Sequence, residues 1–236
     1  MKVFLYQSAN GYCYNSDSIF LYAFAKEFKI KGNILDIGCG VGVLTALLAK
    51  DFNAKYYAVE KQEAMYKYAC QNFKINKKSV DITNCNFSDY KPDVMFDCII
   101  SNPPFYRVDK HQSPNESKNI ARYEHHLPLN LLISKVSKLL KIRGYFIFCY
   151  DAWQLDDILV ELNRNNLKAE FIKFVHPKAN KEAKIVMITA RKGSKARCKI
   201  LPPLIVFNDK QEYTKEAKNA FLSANTHSIK AEFEKS

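Results

Sequence analysis

The stretch Asn33-Ile34-Leu35-Asp36-Ile37-Gly38-Cys39-Gly40-Val41-Gly42 decides the architecture. Its first half reads as a strand, and three alternating glycines then break it into a tight turn. Such a turn lets backbone N–H groups approach a ligand closely where a helix begins, here over about 42–50. Outward from it, short β-rich runs alternate with helical ones. Strands are expected at 55–60, 80–84, 96–101 and 144–150, and helices at about 62–73, 128–141 and from Asp151 to about 165. Residues 168–175 and 184–190 read as a closing pair of strands. This alternation implies an α/β, Rossmann-like fold: a mostly parallel sheet with helices on both faces and a terminal antiparallel strand. Ligands in such sheets sit at the carboxyl ends of the strands, near a topological switch point. Two segments lie outside the pattern. Residues 1–31 form an N-terminal extension with a capping helix over about 16–28, for which Ser16 or Asp17 is a plausible cap. Residues 32–190 form the central domain, and 191–236 a basic tail with too few apolar residues for its own core, expected to drape over the domain or the substrate path.

Composition narrows the class. A chain of 236 residues with 47% hydrophobic and 25% charged residues is neither disordered nor collagen-like. No run approaches the ~18 apolar residues of a membrane helix, and the N-terminus lacks a signal peptide, so no membrane association is expected. Seven cysteines, with no Cys-x-x-Cys pair, suggest reduced, buried thiols in a cytoplasmic protein rather than disulfides or a zinc site. The 36 Lys and Arg against 24 Asp and Glu give a net charge of +12. An excess of that size favours a polyanionic partner.

The glycine loop departs from the dinucleotide fingerprint Gly-x-Gly-x-x-Gly, because the third glycine falls one place early at Gly42 and position 43 is Val. Asp36 would repel a phosphate but welcome an amino group. Glu60, at the end of the second strand, stands where an acid accepts hydrogen bonds from ribose hydroxyls. A ligand with an amino acid moiety, a ribose and no phosphate satisfies both acids, and S-adenosylmethionine is that ligand. The fourth strand ends in Asn102-Pro103-Pro104-Phe105. The Asn102 amide oxygen and the Pro103 carbonyl can both accept from one planar –NH2 group. They would stabilise the positive charge that develops as this weak nucleophile attacks a methyl, with no strong base required. Phe105 offers a flat face on which a base can stack.

Together these motifs resemble class I S-adenosylmethionine-dependent methyltransferases acting on exocyclic or amide nitrogens. Gln7, Gly11-Tyr12-Cys13-Tyr14-Asn15-Ser16-Asp17, His176-Pro177-Lys178-Ala179-Asn180-Lys181 and Leu201-Pro202-Pro203-Leu204 extend the likeness to about Tyr213. The chain thereby resembles the bacterial tRNA(Val) adenine-N6 methyltransferase family, whose target adenine lies next to the anticodon. The resemblance implies that Asp36, Gly38, Gly40, Gly42 and Glu60 serve the cofactor, and that Asn102, Pro103 and Phe105 serve the target adenine. It also implies that Asn86, where relatives often have an acid, contacts the cofactor's adenine, with Phe87 stacking nearby. Many relatives have Tyr in place of Phe105.

On the substrate side, residues 106–127 carry Arg107, Lys110, His111, Lys118, Arg122, His125 and His126 and read as an RNA clamp. A second basic cluster includes Lys178, Lys181, Lys184 and Arg191 and is expected to contact the RNA backbone. The partner is then tRNA, met by a monomer with no obligatory metal. Two alternatives stay open: a ribosomal RNA guanine-N2 methyltransferase, and a catalytically silent RNA-binding protein of the same fold.

Overall fold

The computed structural model describes residues 1–8, 14–103 and 127–231. In chain order the elements are β1 (Val3–Gln7), α1 (Ser16–Ala25), β2 (Asn33–Ile37), α2 (Val43–Asp51), β3 (Lys55–Glu60), α3 (Glu63–Ile75), β4 (Val80–Asn84) and β5 (Phe96–Ser101). There follow α4 (Leu129–Leu139), β6 (Leu140–Asp151), a 3-10 turn (Ala152–Gln154), α5 (Leu155–Arg164), β7 (Leu167–His176) and β8 (Ile185–Lys192). The chain then forms β9 (Lys199–Ile200), β10 (Leu204–Ile205), α6 (Lys215–Ala224) and β11 (Thr226–Lys230).

The main sheet runs β4-β3-β2-β5-β6-β8-β7-β10, with β9 also on β7. Every pairing in it is parallel except those of β8, which lies antiparallel between β6 and β7. This is the expected α/β class. The central strands are buried on both faces, as Ile34, Leu35, Ile99, Ile100, Ile147 and Phe148 show. Each such side chain contributes about 1.5–3 kcal/mol by leaving water.

Register sets the site. β2 is flanked by β3 and by β5, so the strand order reverses there and a crevice opens over the carboxyl ends. Ile37 is level with Ser101 on one side and with Val59 on the other, and Ser101 is level with Phe148 of β6. The residues that follow these positions, Gly38, Glu60, Asn102 and Cys149, therefore arrive at one edge of the sheet together. The Ser101 hydroxyl donates to the Ile37 carbonyl at 2.9 Å and locks that register.

The termini are more ordered than the sequence suggested. The N-cap of α1 is Asn15, not Ser16 or Asp17: its side chain accepts from the Asp17 N–H. The basic tail does not merely drape. It adds two short strands to the β7 edge, packs α6 on α1 through Ala217, Ala220 and Ala224, and ends as β11, parallel to β1. Alanines suffice because they let the two helices approach closely, helped by an edge-to-face contact of Phe20 with Phe221. The other side of β1 is closed by α3. Asn72 accepts from the Tyr6 N–H and donates to the Tyr6 carbonyl, and Asn76 does the same for Phe4. Four residues of helix rise about 6 Å and two residues of strand about 6.6 Å, so an i, i+4 pair of amides can stand in for a neighbouring strand.

Candidate active site

The glycine loop is a built structure. The Gly38 and Cys39 N–H groups both donate to the Val59 carbonyl, and the Gly42 N–H donates back to Cys39. Glu60, buried at the end of β3, spends its carboxylate on backbone: one oxygen accepts from the Gly40 N–H at 2.8 Å and the other from Gln62 N–H at 2.7 Å. Burial raises its pKa, against the pull of those N–H groups. Asp36 is buried beneath the loop and accepts from the Thr45 hydroxyl at 2.6 Å. Desolvation pushes its carboxyl up to about 7.

The three glycines do different work. All have positive φ, +66° at Gly38, +56° at Gly40 and +80° at Gly42. A Cβ added at Gly38 or Gly40 would meet no protein atom within 4 Å. At Gly42 it would lie 2.7 Å from the Phe73 ring. The first two present open backbone to the crevice; the third seats α2 against α3.

Asn102 is held from two sides. Its amide Nδ2 donates to the Ser18 hydroxyl of α1 at 2.9 Å, and its Oδ1 accepts from the Cys149 thiol at 2.8 Å. Cys149 is fully buried, and burial, followed by the negative charge of Asp17, holds its pKa well above the ordinary thiol value. A protonated thiol can donate, and its contact with Oδ1 together with that of Nδ2 to Ser18 orients the amide. An amide oxygen has two lone pairs, and one contact leaves the second for a further donor. Asp17 is itself nearly buried, with its carboxyl pushed up to about 6 by desolvation.

One cavity joins these groups. Its lining includes Asp36, Gly38, Gly40, Glu60, Asn86, Phe87 and Asn102. Among the described residues Gly42 does not line it, for the packing reason above, and Pro103 is buried directly after Asn102. Phe105, Arg107, Lys110 and Arg122 lie outside the described residues. Lys178 and Lys181 line a separate groove beyond β7. Arg191 lies apart from both lysines. Because β8 is antiparallel, Ile185 pairs with Asp151 at the carboxyl end of β6, whereas Arg191 pairs with Tyr145 near its start. Arg191 thus sits at the opposite end of the sheet from the cavity, stacked on the Tyr145 ring and donating to the Arg143 carbonyl. Sequence reasoning missed Tyr14, Ser18 and Cys149. Ser18 lies in the first turn of α1, and Cys149 becomes visible only through the register of β6 on β5.

Residues 14–128 match the family model described as the methyltransferase small domain. The tRNA1(Val) (adenine(37)-N6)-methyltransferase of Phocaeicola vulgatus is 27% identical over 203 residues, covering 85% of each chain. The protein of that name in Pedobacter heparinus is 31% identical over 170 residues, 71% of this chain and 72% of the relative. Among solved structures, a predicted O-methyltransferase of Agrobacterium tumefaciens superimposes with a TM-score of 0.68 at 17% identity, covering 91% of this chain and all of that one. A methyltransferase of Pyrococcus furiosus gives 0.60 at 22% identity, over 80% of this chain and 88% of its own. These two likenesses speak for the fold. With 72% of a relative covered at 31% identity, the chain belongs to the tRNA1(Val) (adenine(37)-N6)-methyltransferase family.

Proposed function

We propose that the chain transfers a methyl group from S-adenosylmethionine to the exocyclic N6 of an adenine in the anticodon loop of tRNA, the adenine beside the anticodon of tRNA(Val). The observation that carries this reading is the meeting of Asn102 with Asp36, Glu60 and the open faces of Gly38 and Gly40 on one cavity.

The residues present fit the cofactor. Two open glycine faces leave room that a side chain would fill, and the two buried acids suit an ammonium and a ribose. When bound, S-adenosylmethionine supplies a methyl on a sulfonium sulfur, which leaves with its electron pair as a neutral thioether. Asp36 meets the cofactor's amino group with the opposite charge. Glu60 holds the Gly40 loop and offers its remaining lone pairs to ribose hydroxyls. Asn102 and the Pro103 carbonyl accept from the adenine amino group. They raise electron density on a nitrogen whose lone pair is otherwise drawn into the ring, and they stabilise its positive charge as the N–C bond forms. The amino proton is then acidic enough to leave to water. Orientation matters as much as charge, and Ser18 and Cys149 keep the Asn102 amide from rotating. An adenine in a loop is already partly unstacked, which lowers the work of drawing it into the site.

The test is methyl transfer from labelled S-adenosylmethionine to total tRNA of a strain lacking the gene, with mass spectrometry of the digested nucleosides. The expected product is N6-methyladenine in valine tRNA. Label in ribosomal RNA as N2-methylguanine would replace this reading with the guanine enzyme. Cofactor binding without transfer to any RNA would leave a silent RNA-binding protein.

A further inference from the structure

Trp153 is the only tryptophan of the chain, and it is 77% exposed. An aromatic side chain of that size left in water forgoes most of the stabilisation that burial would give it. It is not loose. The Asp151 carboxylate accepts from the Trp153 backbone N–H at 3.0 Å, and the Ala152 N–H donates to the Lys184 carbonyl, so the start of the 3-10 turn is pinned. The turn begins where β6 ends, at the same edge of the sheet as the cavity. Cys149 of that strand touches Asn102. Trp153 comes four positions after it, so the two Cα atoms are on the order of 10 Å apart.

Trp153 lines a groove together with Pro177, Lys178, Lys181, Lys184 and Phe207, and with the acids Asp151 and Glu182. Its far wall is fixed as well. His176 Nδ1 lies 2.7 Å from the Lys181 carbonyl, and the Phe207 N–H donates to the Pro177 carbonyl at 2.9 Å. Three lysines face two carboxylates, which leaves the groove one positive charge in excess. Flat aromatic surface beside clustered lysines suits a single-stranded nucleic acid, in which bases stack and phosphates pair with cations. A protein partner needs a broader apolar centre than Trp153, Phe207 and Pro177 supply.

We infer that Trp153 and the groove bounded by Lys178, Lys181 and Lys184 form a second base-binding subsite, which stacks an unpaired nucleotide next to the one being methylated. This rests on the proposed RNA substrate and gives the enzyme a grip on loop sequence independent of Asn102.

The single tryptophan makes the test direct. An anticodon stem-loop RNA titrated into the full chain should quench its intrinsic fluorescence to saturation, at the concentration that also saturates methyl transfer. Trp153→Ala should raise KM for the stem-loop roughly tenfold or more while leaving cofactor affinity and melting temperature unchanged. Trp153→Phe should restore most of the loss. Lys178→Ala with Lys181→Ala should flatten the salt dependence of RNA binding by about one to two units of log–log slope. Methylation with an unchanged KM in Trp153→Ala, or RNA binding without quenching, would overturn the subsite and leave the function standing. Failure of the stem-loop to bind or accept methyl would remove both. Quenching that follows protein concentration without RNA, with a doubling of mass, would make this face a contact between two copies and overturn the subsite.

Discussion

Burial pushes the Asp36 carboxyl up to about 7 from an ordinary 3.8, and the Thr45 hydroxyl opposes the shift only in part. The free fold therefore keeps a proton that the unfolded chain has lost. Its contribution to stability is present at low pH and disappears as pH rises through about 7. A bound ammonium reverses the preference, because it needs the carboxylate. Cofactor affinity should fall as pH drops below about 7, by up to roughly tenfold per unit, and the thermal shift on adding S-adenosylmethionine should be larger at about pH 8 than at about pH 6. Asp36→Asn should weaken binding and flatten that slope, as calorimetry across the range can show. Cys149 poses a second question at this scale. Removing its thiol by Cys149→Ala should lower kcat about three- to tenfold, the worth of one hydrogen bond, with KM for the cofactor unchanged. Cys149→Ser should recover most of the rate, since a hydroxyl also donates to Asn102. Equal losses in both variants would mean that the cavity left behind, not the donor, is what matters.

The elements around the glycine loop were legible because their signals are local. Alternating glycines after a branched apolar run mark β2 and its turn, and the two prolines after Asn102 mark the end of β5. What the chain hides is what each glycine faces. Gly42 looks like the third member of a binding loop, yet a Cβ there would strike Phe73 of α3, a constraint that depends on how two helices cross. Gly42→Ala should cost about 2–4 kcal/mol through its φ and the clash, with cofactor affinity nearly unchanged in the folded fraction. Gly40→Ala should cost only about 1–2 kcal/mol and reduce that affinity roughly tenfold or more, a loss worth about 1.4 kcal/mol per decade. Melting curves and calorimetry on the pair check this, and the opposite ranking would assign the glycines the other way. Asn72 and Asn76 were equally hidden. An i, i+4 pair of amides on the inner face of α3 is the sequence trace of a helix bracketing a strand, but the strand is more than 60 residues away.

At the scale of the molecule, long-range pairing decides what the sequence conceals. A cluster of basic residues reads as one surface along the chain, but the reversed direction of β8 sends Lys184 to the cavity edge and Arg191 to the far end. The tail reads as drape because five residues, Thr226–Lys230, carry no periodicity that names a partner 223 residues upstream. That pairing reaches the cavity. Gln7 of β1 accepts from the Tyr14 N–H at 3.0 Å and donates to the Ser228 hydroxyl at 2.8 Å, while the Tyr14 hydroxyl donates to Thr226 Oγ1 at 3.0 Å. Tyr14 lines the cavity, so the C-terminal strand supports the cofactor site without touching it. Thr226→Ala should weaken cofactor binding about three- to tenfold, and Tyr14→Phe at least as much, because the Tyr14 hydroxyl also meets Ser228 Oγ at 3.2 Å. The double variant should be no worse than Tyr14→Phe alone, because that change already removes the bond to Thr226. Calorimetric dissociation constants for the three variants close the cycle. Additive losses would place Thr226 and Tyr14 on separate routes and detach the tail from the site.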